Sequence, residues 1–175
     1  MSPAELARLY DAYAAALFAH LHTLLGNDTD VRDVLQEVFR KLAARAELLA
    51  GVTDERAYLL RLAHHAGIDH CRRRATRQRA HDRWENESAV TQDSTSLFPS
   101  ATDPDEAEFR AQLATALAGL PVEQRTVVQL KLWEGLTFEQ IATVLDVPPN
   151  TAASRYRYAV DKLRAHLRPL YDEIR

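Results

Sequence analysis

Cysteine is nearly absent from this chain: Cys71 stands alone in 175 residues. That excludes an internal disulfide framework and fits a reducing compartment. Glycine is scarce, with five residues, and aromatics make up 7%. No stretch alternates apolar and polar for long, so strands are not expected. No apolar run reaches the roughly 18 residues that a membrane span needs. The first residues lack the basic-then-apolar pattern of a secretion signal. These absences predict a soluble, cytoplasmic protein. A net positive charge is missing too: the balance is −3, which argues against a uniformly basic coat for nucleic acid.

What the chain has is alanine, leucine, arginine and glutamate, with 46% hydrophobic residues. That composition predicts an all-α protein with a real core. The length suits one medium domain or two small ones. The charge is segregated. From Arg56 to Arg83 there are eight arginines against Asp69 and Asp82. From Trp84 to Arg110 there are seven acids against one arginine, and from Pro149 to Arg168 five bases against Asp161. Two basic blocks around an acidic one predict two anion-binding surfaces and a tether.

The most informative stretch is Thr137 to Leu167. Thr137 and Gln140 have capping-box spacing, so a helix is expected from Phe138. Ile141, Ala142, Val144 and Leu145 form its buried stripe. Asp146-Val147-Pro148-Pro149 breaks it, and Asn150 is the expected N-cap of a second helix. Ala152, Tyr156, Ala159 and Leu163 make that helix's inward face. Asn150, Thr151, Ala153, Ser154, Arg155 and Arg157 point elsewhere. The pattern is that of a helix-turn-helix, whose second helix enters the major groove.

The rest reads as further helices. Ser2-Pro3-Ala4-Glu5 starts the first, with an apolar stripe of Leu6, Leu9, Tyr10, Tyr13, Leu17, Leu21 and Leu24, and Gly26-Asn27 stops it. Asp28 to Asp30 offer caps for the second. Its inner face is Val31, Val34, Leu35, Val38, Phe39 and Leu42, and its polar stripe is Asp33, Gln36, Glu37 and Arg40. Glu47 to Arg56 is expected as a loop around Gly51. Thr53 is the expected cap of a third helix through Tyr58, Leu59, Leu62, Ala63, Ala66, Ile68 and Cys71. That helix runs into Arg72, Arg73, Arg74, Arg77, Arg79 and Arg83, a phosphate-binding candidate. Residues 84–102 have no apolar period and read as a flexible acidic linker in which Trp84, Leu97 and Phe98 stand out. Asp103-Pro104-Asp105-Glu106 opens a second domain, with a stripe of Phe109, Leu113, Leu117 and Leu120. Pro121 is expected to begin a helix that buries Val127, Val128, Leu130 and Leu132. Pro169 to Arg175 is expected as a short extra turn.

Taken in order, these residues resemble bacterial sigma factors of the extracytoplasmic-function (ECF) group of the sigma-70 family. Asp33 to Phe39 is similar to the polymerase-binding segment. Ala57 to Ala63, Ile68-Asp69 and Arg72 to Arg74 resemble the segment that reads and opens the minus-ten element. Leu120-Pro121, Gln124-Arg125, Glu134 to Thr137, Glu139 to Ala142 and Asn150 to Arg155 resemble the domain that binds the minus-thirty-five element. The resemblance implies a region 2-like domain over 1–83, a linker over 84–102 and a region 4-like domain over 103–175.

It also implies a promoter-specificity subunit with no catalytic residues and no cofactor or metal of its own. The expected partners are core RNA polymerase (β′ clamp and β flap) and promoter DNA, with an anti-sigma factor as a further candidate. Asp33, Gln36, Glu37 and Arg40 would dock on polymerase. Arg56, Tyr58, Arg61, His65, Asp69, Arg72, Arg73, Arg74 and Arg77 would meet the minus-ten DNA, and a base flipped from the non-template strand would enter the loop Leu48 to Arg56. Thr137, Asn150, Thr151, Ala153, Ser154, Arg155, Arg157 and Tyr158 would meet the minus-thirty-five DNA.

The chain departs from the family pattern. His64-His65 replaces a common Arg-Asn, and His70-Cys71 a common Tyr-Leu. Ala153, Tyr158, Val160 and Asp161 stand where bases are frequent, which implies weaker phosphate attraction and more reliance on Asn150, Arg155, DNA shape or the tether to polymerase. Asp146 stands where a turn glycine is common, and aspartate tolerates the left-handed region.

Two other classes compete. A stand-alone helix-turn-helix regulator would leave the Asp33 to Phe39 stripe and the arginine block unexplained. A metal site from His64, His65, His70 and Cys71 has poor spacing, since only His65 and Asp69 share a face at i, i+4.

Overall fold

Caps and breaks place the helices. In the computed structural model, which describes residues 1–81 and 104–173, every regular element is an α-helix or a 3-10 turn. The helices are α1 (Pro3–Leu25), α2 (Asp28–Ala44), α3 (Glu55–His81), α4 (Pro104–Ala118), α5 (Val122–Leu132), α6 (Phe138–Leu145) and α7 (Pro149–Glu173), with a 3-10 turn at Ala46–Leu49. They fall into two compact units, one holding α1–α3, the other α4, α5, α7 and most of α6. The expected linker, with Trp84, Leu97 and Phe98, lies outside the described residues, as do Arg83 and the expected cap Asp103.

In the first unit Ser2 caps α1 by accepting from the Glu5 N–H at 3.2 Å, and Pro3 sits at the first turn. Gly26 ends the helix at φ 75°, and its N–H returns to the His22 carbonyl, a conformation glycine adopts without a Cβ penalty. Leu9, Leu17 and Leu21 are fully buried as their spacing predicts. Tyr10 is not: it is 52% exposed, its ring lying against Phe39 with centroids 5.0 Å apart. His20, His22 and Thr23 are buried instead.

Three boundaries differ from expectation. Asn27, not Asp28 to Asp30, caps α2; its side chain accepts from the Asp30 N–H at 2.9 Å. One asparagine both follows the glycine stop and opens the next helix, so the connection is shorter than two separate signals imply. Asp54, not Thr53, caps α3, accepting from the Ala57 N–H at 3.0 Å. The expected loop 47–56 is correspondingly short, because Ala46–Leu49 is helical and Arg56 already lies in α3.

All six apolar positions of α2 are buried. In α3, Ala57 and Leu60 join Leu59, Ala63 and Ala66 in the core. Gly67 gives α1 its close approach: a Cβ there would stand 2.6 Å from Leu24 Cδ2. Cross-helix partners advance together: Arg8 and Tyr13 with Glu55, then His20 with His64, then Leu24 with Gly67. α1 and α3 are therefore parallel. α1 ends at Leu25, so the basic end of α3 continues past it, where acids of α2 reach it.

The second unit packs Leu117, Leu120, Val128 and Ala159 together, with Leu113, Tyr156 and Leu163 against them. Phe109 is 36% exposed, and Leu132, expected inside, is 58% exposed because it lies at the last position of α5. Pro121 caps α5 rather than beginning it; its carbonyl accepts from the Gln124 and Arg125 N–H groups, both at 3.0 Å. A proline has no N–H to lose at that position.

α6 has its full capping box, with Gln140 N to Thr137 Oγ1 at 3.2 Å and Thr137 N to Gln140 Oε1 at 2.8 Å. Asp146 then turns the chain at φ 55°, in the left-handed region. Asn150 is not the cap of α7. Pro149 is the first helical residue, and the Pro148 carbonyl accepts from Thr151 and Ala152. Proline's fixed φ suits a first helical turn, so the pair ends one helix and starts the other. α7 continues through Pro169 to Glu173 instead of giving a separate turn.

Candidate nucleic-acid and partner interfaces

The polar stripe of α2 forms as expected, with one change. Asp33, Gln36 and Arg40 are exposed. Glu37 is drawn aside: one oxygen meets Lys41 Nζ at 2.8 Å and the other faces Arg73 at 3.7 Å. The hydrogen bond from Lys41 holds the Glu37 carboxyl below its ordinary range, against desolvation. Tyr10, which periodicity alone places in the core, stands over Phe39, next to Arg40 in sequence. A tyrosine's amphipathic ring fits either place on the stripe's edge, so only the packing distinguishes them.

On α3, Arg61, His65, Asp69 and Arg72 are exposed at i, i+4, i+8 and i+11, one continuous face. Arg72 faces Asp69 at 3.7 Å along the helix. Arg56 is exposed in the first turn, Tyr58 is half-buried, and Arg77 is exposed. Arg73 and Arg74 differ. Arg73 Nε donates to the Asp69 carbonyl at 3.3 Å, and its guanidinium faces Glu37. Arg74 donates to Asp30 Oδ2 at 2.7 Å.

Asp30 is the hub of this region; the sequence marks it only as a cap candidate. Asn27 donates to its Oδ2 at 2.8 Å, and His70 Nε2 lies 3.2 Å from its Oδ1. Burial pushes the Asp30 carboxyl up, but the Asn27 hydrogen bond and the charges of His70 and Arg74 outweigh it and hold the carboxyl low. The arginine run on α3 is the sequence signal for such pairing, but α2 mixes four acids with three bases, so neither the partner nor the register is legible there.

The four candidate metal ligands do not converge. His64 Nδ1 lies 3.3 Å from Nε2 of the fully buried His20. His70 is on Asp30, His65 is exposed, and burial raises the Cys71 thiol above its usual range, which disfavours thiolate.

In the second unit the candidate residues gather on the first turns of α7. Asn150 is exposed, and Thr151, Ala153, Ser154 and Arg155 are half-buried. Ser154 Oγ donates to the Thr151 carbonyl at 3.0 Å. Arg157 and Tyr158 are exposed, with the Arg157 guanidinium 5.2 Å from the Tyr158 ring. Thr137, exposed, serves as the α6 cap.

Several motif residues turn out to build the scaffold. Glu134 is buried and accepts from Gln129 at 3.1 Å. Gly135 takes φ 66° and Lys131 Nζ holds the Leu136 carbonyl at 3.0 Å. Arg125 donates to the Ala118 carbonyl at 3.4 Å, and burial lowers its pKa.

Two family models match the chain: Sigma-70 region 2 over residues 9–85, and Sigma-70, region 4 over residues 110–163. The chain is 33% identical over 166 residues to the ECF RNA polymerase sigma factor SigL of Mycobacterium tuberculosis, covering 93% of this chain and 88% of that protein. It is 25% identical over 167 residues to the ECF RNA polymerase sigma factor SigX of Bacillus subtilis, covering 95% and 85%. Among solved structures, the sigma factor RpoE of Bartonella quintana, in complex with the anti-sigma factor NepR, matches with a TM-score of 0.71 at 20% identity, over 94% of this chain and 97% of that one. CnrH, in complex with the cytosolic domain of CnrY, matches with a TM-score of 0.63 at 21% identity, over 96% and 90%.

Proposed function

The chain belongs to the ECF group of the sigma-70 family, and on that premise we propose how its surfaces divide the work of an RNA polymerase sigma factor. The first unit, taken as 1–83, docks on the polymerase clamp and meets the minus-ten element. The second, taken as 103–175, meets the minus-thirty-five element and the flap. Residues 84–102 tether them. The polymerase supplies all bond chemistry, and the chain supplies none. The work takes place where polymerase and promoter are, in the cytoplasm.

The observation that supports this reading is a cation-bearing helix face on each of the two units. One is Arg61, His65, Asp69 and Arg72 along α3. The other opens α7 behind a left-handed turn, the geometry that sets a helix in the major groove. On α2, Asp33, Gln36 and Arg40 present the polymerase contact, with Glu37 reachable at its edge. On α3, Arg56, Tyr58, Arg61, His65, Asp69, Arg72 and Arg77 face the minus-ten strand. Asn150, Thr151, Ala153, Ser154, Arg155, Arg157 and Tyr158 read or hold the minus-thirty-five duplex, with Thr137 at the phosphate edge. An anti-sigma factor is a further partner consistent with this reading; the Bartonella RpoE is bound by one.

Transcription with core polymerase on genomic DNA tests the proposal. Promoter-specific starts that depend on this chain are expected. Their absence on all templates, together with tight duplex binding by the chain alone, would replace it with a stand-alone regulator.

A further inference from the structure

The basic end of α3 passes beyond the end of α1, and acids of α2 reach it. There the cations divide into two sets. Among the described residues, none of Arg61, Arg72 and Arg77 is ion-paired to α2, and all three are exposed. Arg74 donates to Asp30 at 2.7 Å, with its side chain 46% exposed. Arg73 faces Glu37 at 3.7 Å, with its side chain 51% exposed. Both acids are far less exposed, at 21% and 22% of the side chain. Asp30 is also fixed in place: Asn27 holds one oxygen and His70 lies on the other. A carboxylate so held offers the guanidinium what a DNA phosphate offers, a fixed anionic oxygen at hydrogen-bond distance.

We propose that Asp30 is an internal stand-in for a phosphodiester of single-stranded DNA, occupying Arg74 in the free chain, with Glu37 doing the same more loosely for Arg73. This deepens the reading of α3 as the minus-ten surface and rests on it. In the free chain the strand meets Arg61, Arg72 and Arg77. Arg74 joins the grip only when a phosphate displaces Asp30. Because that exchange trades one anion for another, the gain per contact is small until polymerase positions the strand. For Glu37 the displacing group also includes a partner on the α2 stripe, since the carboxylate lies at the edge of Asp33, Gln36 and Arg40. Docking there and release of Arg73 are then linked.

The test is fluorescence anisotropy of the full chain on a labelled single-stranded oligonucleotide, across a salt series. D30N should bind more tightly than the wild type, with a salt slope steeper by about 0.7, the value for one added single-strand phosphate contact. The double variant D30N/R74Q should return to the wild-type slope. If the double variant keeps the whole gain, the effect is only the loss of a negative charge, and the proposal fails. It also fails if D30N binds no more tightly than wild type, including the case where neither binds at the lowest salt.

A second comparison avoids substituting Asp30, in case D30N misfolds by circular dichroism. R72Q should reduce the slope by about 0.7 and R74Q by clearly less. Equal losses would overturn the proposal. If R72Q, R61Q and R77Q all leave the slope unchanged, the assignment of α3 to the strand has failed instead.

Discussion

In α3, Arg73 and Arg74 reach across to acids on a neighbouring helix, whereas in α7 the one ion pair among the described residues, Arg164 with Asp161, stays within the helix. The contrast extends to the units that carry them. The first unit is laced by polar bonds between residues far apart in sequence: Arg8 and Tyr13 with Glu55, His20 with His64, Asp30 with His70 and Arg74. In the second, the Thr137–Gln140 box, the Gln129–Glu134 bond and the Lys131–Leu136 bond are local devices. A long helix that must expose a row of cations needs anchors along its length. In α7, which is nearly as long, the helix start is set instead by the turn at Asp146 and by Pro148-Pro149. Arg73 and Arg74 of α3 are therefore partly neutralised within the fold, whereas on the opening turns of α7 Arg157 is exposed and Arg155 half-buried.

The largest test of this contrast is in the cores. Ile141 and Leu59 are both fully buried, one in each unit. Either one changed to alanine should cost about 2–5 kcal/mol, read by urea denaturation. Hydrogen exchange should show Ile141→Ala raising exchange in α5–α7 and leaving α1–α3 unchanged. Loss of protection across both units would break the comparison.

On the DNA side, Arg157→Gln should weaken binding of the polymerase-bound chain to duplex carrying the minus-thirty-five element, lowering the salt slope by about 1. It should do so for any duplex sequence, since a phosphate contact carries no base information. A loss confined to one sequence would make Arg157 a base reader.

Caps give a smaller effect. Thr137→Ala removes the Thr137 Oγ1 half of the α6 box and should cost about 1 kcal/mol. Asp54→Ala removes the cap bond to the Ala57 N–H and should cost about the same or less, because the Arg8–Glu55 and Tyr13–Glu55 bonds still hold that helix start. A larger loss at Asp54 would show that caps matter as much to the first unit as to the second.

The smallest effect is in pH. Asp30, Glu37 and Glu55 in the first unit all titrate below their ordinary range; for Glu55 the hydrogen bond from Arg8 is the main cause. A carboxyl with a depressed folded pKa adds stability above its unfolded value and loses it as pH falls through the folded one. The first unit should therefore weaken on acidification below about pH 4, and Glu55→Gln should flatten that dependence. In the second unit Glu139 is also lowered, chiefly by its backbone N–H, and it is fully exposed. Resolved amide signals followed from neutral to acid pH should show α1–α3 fading first.

Much of this architecture could be read along the chain. The six apolar positions of α2, the Thr137–Gln140 box and the inward row Ala152, Tyr156, Ala159 and Leu163 follow from local spacing, and each appears where expected. Cap assignments slipped by one or two residues at Asn27, Asp54, Pro121 and Pro148, because several polar or proline residues sit side by side and any could serve. Leu132 and Tyr10 were misplaced because periodicity marks a face without saying how far a neighbouring helix covers it.

The sequence by itself determined the helices, the breaks between them, the turn at Asp146 and the segregation of charge, since all of these depend on residues within a few positions of each other. Only the tertiary structure decided which arginines are engaged. Asp30 and Arg74 are 44 residues apart, and whether they meet depends on the register of α2 against α3. That register is set by how the buried faces of α2 and α3 pack together, which no local pattern encodes.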